Sequence, residues 1–197
     1  MKGVMFLEQG KAALIDEPKP ELKPDTMLLK TIYSGVSNGT ERKFLVGGNY
    51  GAGLPWPKRL AYQHVSEVIA CGEEIQGFQV GDIVFTGMFP GHVEYHPARE
   101  SDLIAKLPEG FDLVAGAMLG VASVAYHDVR RAQVGPSDNV LVMGAGLIGQ
   151  FAAQAARVMG ADTVTVAEPQ DDRRSLAAEL GADLVLDPTT AAGDDAM

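Results

Sequence analysis

Gly144-Ala-Gly146-Leu147-Ile148-Gly149 is the segment whose residue types and spacing point most directly to chemistry. The pattern G-x-G-x-x-G suits the handling of a dinucleotide pyrophosphate. Gly144 permits a tight turn out of a strand. Gly146 lets the backbone approach the phosphates. Gly149 lets a helix pack close to that strand. The free N–H groups at the helix start, with Leu147 and Ile148 among the residues there, then face the anion. A second strand, Thr163-Val-Thr-Val-Ala, ends at Glu168, nineteen residues past Gly149. A carboxylate there accepts hydrogen bonds from an adenosine ribose and repels a 2′-phosphate, so NAD(H) is the expected cofactor. Arg173 is the nearby group suited to a 2′-phosphate, which makes NADP(H) the alternative. Asp171 and Asp172 offset the charge of Arg173 and Arg174. The competing reading is a structural glycine turn that binds nothing.

The elements needed to position these residues are legible. From Asn139 the pattern alternates strand and helix over 139–143, 147–159, 163–167, 171–179 and 183–186, a βαβαβ unit with a parallel sheet. The first 110 residues read differently. Strands are expected at Met27–Val36, Val65–Ala70, Asp82–Phe85 and His92–Tyr95, between Gly- and Pro-rich turns, as in a barrel or sandwich. Asp112 is a plausible N-cap. Val121–Ala132 reads as a helix, and residues 188–197 as a loop. A complete dinucleotide fold has two βαβαβ halves in strand order 3-2-1-4-5-6. Only strands 1 to 3 are supplied here, and a second half needs on the order of 60 further residues. Strand 139–143 would then be an open edge. The expectation is a truncated chain.

Composition narrows the partners. The chain has 197 residues and a net charge of −10, which argues against nucleic acid and anionic membrane surfaces. Cys71 is the only cysteine, so no internal disulfide forms. It has no basic neighbour in sequence and reads as a plain buried thiol. No apolar run reaches membrane-spanning length, and the N-terminus lacks a cleavable apolar core. A cytoplasmic setting is expected.

The order of parts resembles the medium-chain dehydrogenase/reductase superfamily, the alcohol dehydrogenase and quinone reductase group. The local matches are Gly77-Phe-Gln-Val-Gly-Asp-Ile-Val, Leu107-Pro-Glu-Gly, Val140–Gly149 and Arg173–Asp183 with its Leu-Gly-Ala-Asp ending. The resemblance implies an α/β fold with a β-rich domain. A GroES-like catalytic domain, 1–115, would precede a connecting helix and an apparently incomplete Rossmann doubly wound parallel sheet, 116–197. It also implies a homodimeric full-length form.

Departures from the family pattern carry information. The family's zinc-ligand positions fall on Ser37, on Tyr62 and Gln63, and near Gly120. Zinc takes thiolate, imidazole or carboxylate, so these are poor ligands and no zinc is expected. The segment Ser34-Gly-Val-Ser-Asn-Gly-Thr-Glu is similar to that of a zinc-lacking subgroup, which includes proteins resembling bacteriochlorophyllide a dehydrogenase.

Without a Lewis acid, charge on the reacting oxygen needs a hydrogen-bond donor. Tyr62 is the leading candidate. Thr40 sits where zinc enzymes place a Ser/Thr before an acid, and its hydroxyl is suited to relay a proton. Ser37 is a further pocket candidate. Each has a plain alternative: Tyr62 as a packed tyrosine, Thr40 and Ser37 as caps of a turn through Glu41-Arg-Lys-Phe. His64 and His127 read as structural or surface residues. Tyr50, Pro55 and Trp56 lie in a loop suited to flank a small-molecule substrate.

The functional expectation is zinc-independent hydride transfer between a nicotinamide cofactor and an alcohol/ketone or enone. The alternatives are a quinone reductase and a non-catalytic nucleotide-binding or structural protein.

Overall fold

The computed structural model describes residues 1–49 and 53–190. Tyr50 lies outside the described residues, as does the expected loop over 191–197. The chain divides into two compact units, Met1–Gly120 and Val121–Met197.

The first unit opens with a hairpin that the sequence reading did not anticipate. β1 (Lys2–Glu8) pairs antiparallel with β2 (Lys11–Asp16). Isolated bridges Gly3↔Val93 and Phe6↔Lys58 tie it to two loops of the same unit. The main sheet has five strands in the order β6-β3-β4-β5-β7. These are β3 (Met27–Ser34), β4 (His64–Cys71), β5 (Ile83–Thr86), β6 (Tyr95–Ala98) and β7 (Ile104–Lys106). All its pairings are antiparallel. Side chains alternate across a strand, so Met27 and Leu29 share a face, and they pack there with Val68, Val84 and Ala98. Ile75, Phe78 and Met88 close this core from the loops.

One expected strand is displaced. His92–Tyr95 was the reading, but the paired strand is β6, Tyr95–Ala98. Pro97 argues against a strand by propensity. It is tolerated because β6 is at the edge of the sheet, where no donor is needed on the outer side. A short helix, α1 (Thr40–Leu45), lies between β3 and β4. Asp112 does cap α2 (Leu113–Gly116), accepting the Val114 and Ala115 N–H groups at 2.8 and 3.2 Å. α3 (Leu119–Arg131) starts two residues before the expected Val121.

In the second unit β8 (Asn139–Met143), β9 (Thr163–Ala167) and β10 (Leu184–Leu186) form a parallel sheet in the order β10-β9-β8. α4 (Leu147–Val158) and α5 (Asp171–Glu179) are the crossovers. The 3-2-1 order is that of a nucleotide-binding half-sheet. Small residues let α4 pack closely: Ala153, Ala155 and Ala156 meet Val164 and Val166 in the core. The Leu-Gly-Ala-Asp ending has a physical reason. Gly181 has φ +98° just past α5, and Asp183 accepts the Val164 N–H at 2.7 Å and pairs with Arg157. The fold is α/β with a β-rich module, as expected from the sequence.

Candidate functional site

Each unit holds its own set of functional groups. In the second unit β8 runs into Gly144, whose φ of +92° turns the chain. Gly146 caps α4 in extended conformation. A Cβ added at Gly146 would meet nothing within 4 Å, so the space above the helix start is open. A Cβ at Gly149 would lie 1.8 Å from the Gly144 carbonyl oxygen, so that glycine is required by helix–strand packing. The first helical hydrogen bond is Gln150 N–H to Gly146 O, at 2.9 Å. The N–H groups of Leu147, Ile148 and Gly149 thus have no acceptor within the helix. This cradle fits a pyrophosphate.

Glu168 follows β9 and is 3% exposed. Its Oε1 accepts the Gln170 N–H at 3.0 Å and its Oε2 accepts the Ala145 N–H at 2.8 Å. Those bonds, with Arg173 and Arg174 nearby, hold its carboxyl below the usual range. Glu168 therefore braces the glycine loop directly, a role the sequence reading missed. Arg174 donates to the Glu168 carbonyl at 2.6 Å and pairs with Asp171. Arg173 is exposed, and its carbonyl accepts from Gln150 Nε2 at 3.0 Å.

In the first unit Gly35 N–H donates to Gln63 O at 2.8 Å, which sets Tyr62 beside the Val36–Ser37 segment. Tyr62 is half-buried, and its ring centroid lies 6.1 Å from that of Phe89. Its hydroxyl makes no hydrogen bond among the described residues and is free to donate. Ser37 Oγ accepts the Thr40 N–H at 3.3 Å, while Gly39 is the N-cap of α1 without a side-chain bond. The Ser37 hydroxyl thus holds the helix start, and Thr40 is the first helical residue rather than a cap.

Three of the four histidines, His64, His92 and His96, lie together in this unit, while His127 is exposed on α3. His64 is fully buried, with Nε2 2.9 Å from Gly91 O. A carbonyl only accepts, so Nε2 carries the proton, and Nδ1 is left without a partner. Its ring centroid is 5.0 Å from that of His96 and 6.5 Å from that of His92. His96 lies between the hydroxyls of Thr86 and Thr31, at 3.2 and 3.4 Å. Burial pushes His64 down to about 4 and His96 to about 3, so both are neutral rings. His92 Nε2 lies 3.1 Å from Glu41 Oε1, and His92 Nδ1 is 2.8 Å from Ser34 Oγ. Nothing in the sequence signalled this group, because its members come from β3, α1, β4, β5, β6 and the loop before β6. Cys71 is half-buried, and its thiol is raised by burial and then by Asp82 and Glu100. The raised pKa disfavours the reactive thiolate.

Comparison with known proteins agrees with this layout. Residues 148–197 match the family described as zinc-binding dehydrogenase. The chain is 45% identical over 95 residues to a sorbitol dehydrogenase of Arabidopsis thaliana, covering 48% of this chain and 25% of that protein. It is 32% identical over 152 residues to 2-dehydro-3-deoxy-L-galactonate 5-dehydrogenase of Pseudoalteromonas atlantica, covering 64% and 44%. Its fold matches the quinone oxidoreductase of Coxiella burnetii with a TM-score of 0.84 and 27% identity, over 100% of this chain and 65% of that one. The chain is similar to medium-chain alcohol dehydrogenase-like proteins. It spans less than two thirds of the length of each of these relatives.

Many alcohol dehydrogenase-like proteins hold zinc, and the donor set here does not suit it. Gln63 is fully buried, and a Cβ at Gly120 would lie 2.7 Å from its Cγ. Two of the expected ligand positions are thus packed against each other. Glu41, the nearest acid in sequence, is 4% exposed and already takes the Ser37 N–H. Among the described residues no three His, Cys, Asp or Glu side chains converge as a metal cage.

Proposed function

We propose that this alcohol dehydrogenase-like chain is the catalytic domain and first nucleotide-binding half of a zinc-independent, nicotinamide-dependent oxidoreductase acting on an alcohol/carbonyl pair. The observation that carries the reading is the open cradle at Gly146, beneath unshared N–H groups and braced by Glu168. Gly146, Leu147 and Ile148 would hold the pyrophosphate. The bound nicotinamide supplies the hydride acceptor or donor.

The chain's own residues manage the oxygen. The Tyr62 hydroxyl, unpartnered among the described residues, donates to it as negative charge develops, which a donor in a partly desolvated site does better than water. The Thr40 hydroxyl would relay a proton from solvent water to that oxygen during reduction, and from the alcohol back to water during oxidation. Ser37 holds Thr40 through its N–H. The Phe89 ring lies beside that of Tyr62 on one side of the site. The polyol and sugar-acid dehydrogenase relatives favour a polyhydroxylated substrate. The quinone oxidoreductase match favours a second reading, in which the acceptor delocalises the charge itself. An ionised Glu168 favours NAD(H), while an exposed Arg173 and the prior use of both Glu168 oxygens favour NADP(H). A homodimeric, cytoplasmic full-length form is part of the proposal.

The test is deuteride transfer from 4-deuterated NADH and NADPH to panels of ketoses, simple ketones, enones and quinones, with and without a chelator. The expected result is transfer to a ketone that the chelator does not change, and that Tyr62→Phe slows about a hundredfold without weakening cofactor binding. Transfer to quinones alone selects the second reading. Cofactor binding without transfer to any panel member would leave a nucleotide-binding protein.

A further inference from the structure

Among the described residues two carboxylates are buried, Glu168 and Glu41, at 3% and 4% exposure. A buried carboxylate is costly unless its oxygens are matched by donors. Glu168 has two backbone donors and fixes the glycine loop. Glu41 has one: its Oε2 accepts the Ser37 N–H. Its Oε1 has no hydrogen bond of good geometry, and the group facing it is His92 Nε2 at 3.1 Å. The other ring nitrogen is held by the Ser34 hydroxyl at 2.8 Å.

Ser34 ends β3 and Glu41 lies in the first turn of α1. Both flank the segment 35–40, which contains Ser37 and Thr40. One imidazole therefore pins both ends of that segment. The ring's tautomer follows from its neighbours: the carboxylate requires the proton on Nε2, and Nδ1 then accepts from Ser34. The His64 ring lies tilted beside it, centroids 6.5 Å apart, and Arg59, ion-paired with Glu17, packs against the preceding Gly91.

We propose that His92 is a positioning residue, holding the Ser37–Thr40 segment in register through Glu41 so that the Thr40 hydroxyl is aimed at the reacting oxygen. The proposal rests on the oxidoreductase reading for its catalytic consequence, and on this chain alone for its structural one. The apolar core of the sheet lies elsewhere, around Met27, Leu29, Val68 and Val84, so removing the ring nitrogens leaves the sheet in place.

The variants are His92→Phe, which retains a ring without nitrogens, Glu41→Gln, and His92→Gln, whose amide can donate in place of Nε2. Amide hydrogen exchange is read alongside turnover. In His92→Phe and Glu41→Gln, exchange at Ser37 and Thr40 is expected to rise about tenfold or more, with β4 unchanged. Turnover number is expected to fall on the order of ten- to a hundredfold, the scale of a small misplacement, with cofactor affinity held within about twofold. His92→Gln is expected to restore much of both. Unchanged exchange at Ser37 and Thr40 in both disruptive variants overturns the proposal, as does unchanged turnover beside faster exchange. Should His92→Phe lose protection across β4 as well, Glu41→Gln decides, since it retains the shape of the site. Absence of any turnover in the unaltered protein defeats the oxidoreductase reading, and the exchange data then judge the clamp by themselves.

Discussion

Arg173 and Arg174 are adjacent in sequence and differ in occupation. Arg174 is committed to Asp171 and to the Glu168 carbonyl, whereas the Arg173 guanidinium stands exposed. Arg173→Ala is therefore the clean probe of cofactor choice. If the 2′-phosphate is read there, NADPH affinity falls about tenfold or more while NADH affinity holds, as measured by cofactor fluorescence titration. Equal affinities before and after substitution would leave NAD(H). Glu168→Ala is less clean than the sequence suggested. Removing it also frees the Ala145 and Gln170 N–H groups, so both cofactors lose affinity. Spacing alone located Glu168 but could not show where its oxygens point. The His92–Glu41 contact was even less legible, since 51 positions separate two residues that meet at 3.1 Å.

At the scale of elements, the second and third glycines of the motif, Gly146 and Gly149, separate binding from folding. Gly146 faces open space, so Gly146→Ala is expected to fold normally and to lose cofactor affinity, because the methyl occupies the pyrophosphate approach. Gly149 faces the Gly144 carbonyl at 1.8 Å, so Gly149→Ala must shift helix or strand. Overpacking of this kind costs at least about 1–3 kcal/mol, visible as a lower denaturation midpoint. Equal midpoints for the two variants would refute the assignment. The second unit was legible because its signals agree at every level: β-branched strands, a small-residue helix α4, and glycine or proline at each turn. β8, β9 and α5 have the bounds expected from the sequence. The first unit was harder. The β1–β2 hairpin lacks a marked apolar alternation, since its second strand is largely exposed. β6 was displaced because Pro97 is a poor strand residue anywhere but at an edge.

At the scale of the molecule, the buried neutral histidines couple stability to pH. Unfolded imidazoles take a proton near 6.5, but His64 does so near 4 and His96 near 3 in the folded chain. Between those values the unfolded chain binds more protons. Stability is thus flat above about pH 7 and declines as pH falls from about 6.5 toward 4, by on the order of 3 kcal/mol per ring. The salt-bridged Asp82 and Asp183, whose pKa values are lowered from 3.8, add to the loss only below about pH 4. Urea midpoints between pH 7.5 and 4.5 measure this, and His96→Gln is expected to flatten part of the slope. A midpoint independent of pH across that range would mean that the rings protonate without strain. Cys71 offers a different kind of access to the same molecule. It is the single sulfhydryl of the chain, at the end of β4 opposite Met27, with Sγ donating to Phe78 O at 3.7 Å. Half-buried there, it is partly shielded from a thiol reagent, and parting of the β3–β4 seam exposes it further. A rise in its modification rate at fixed pH therefore reports loosening of that seam, with no label to engineer and no second site to subtract.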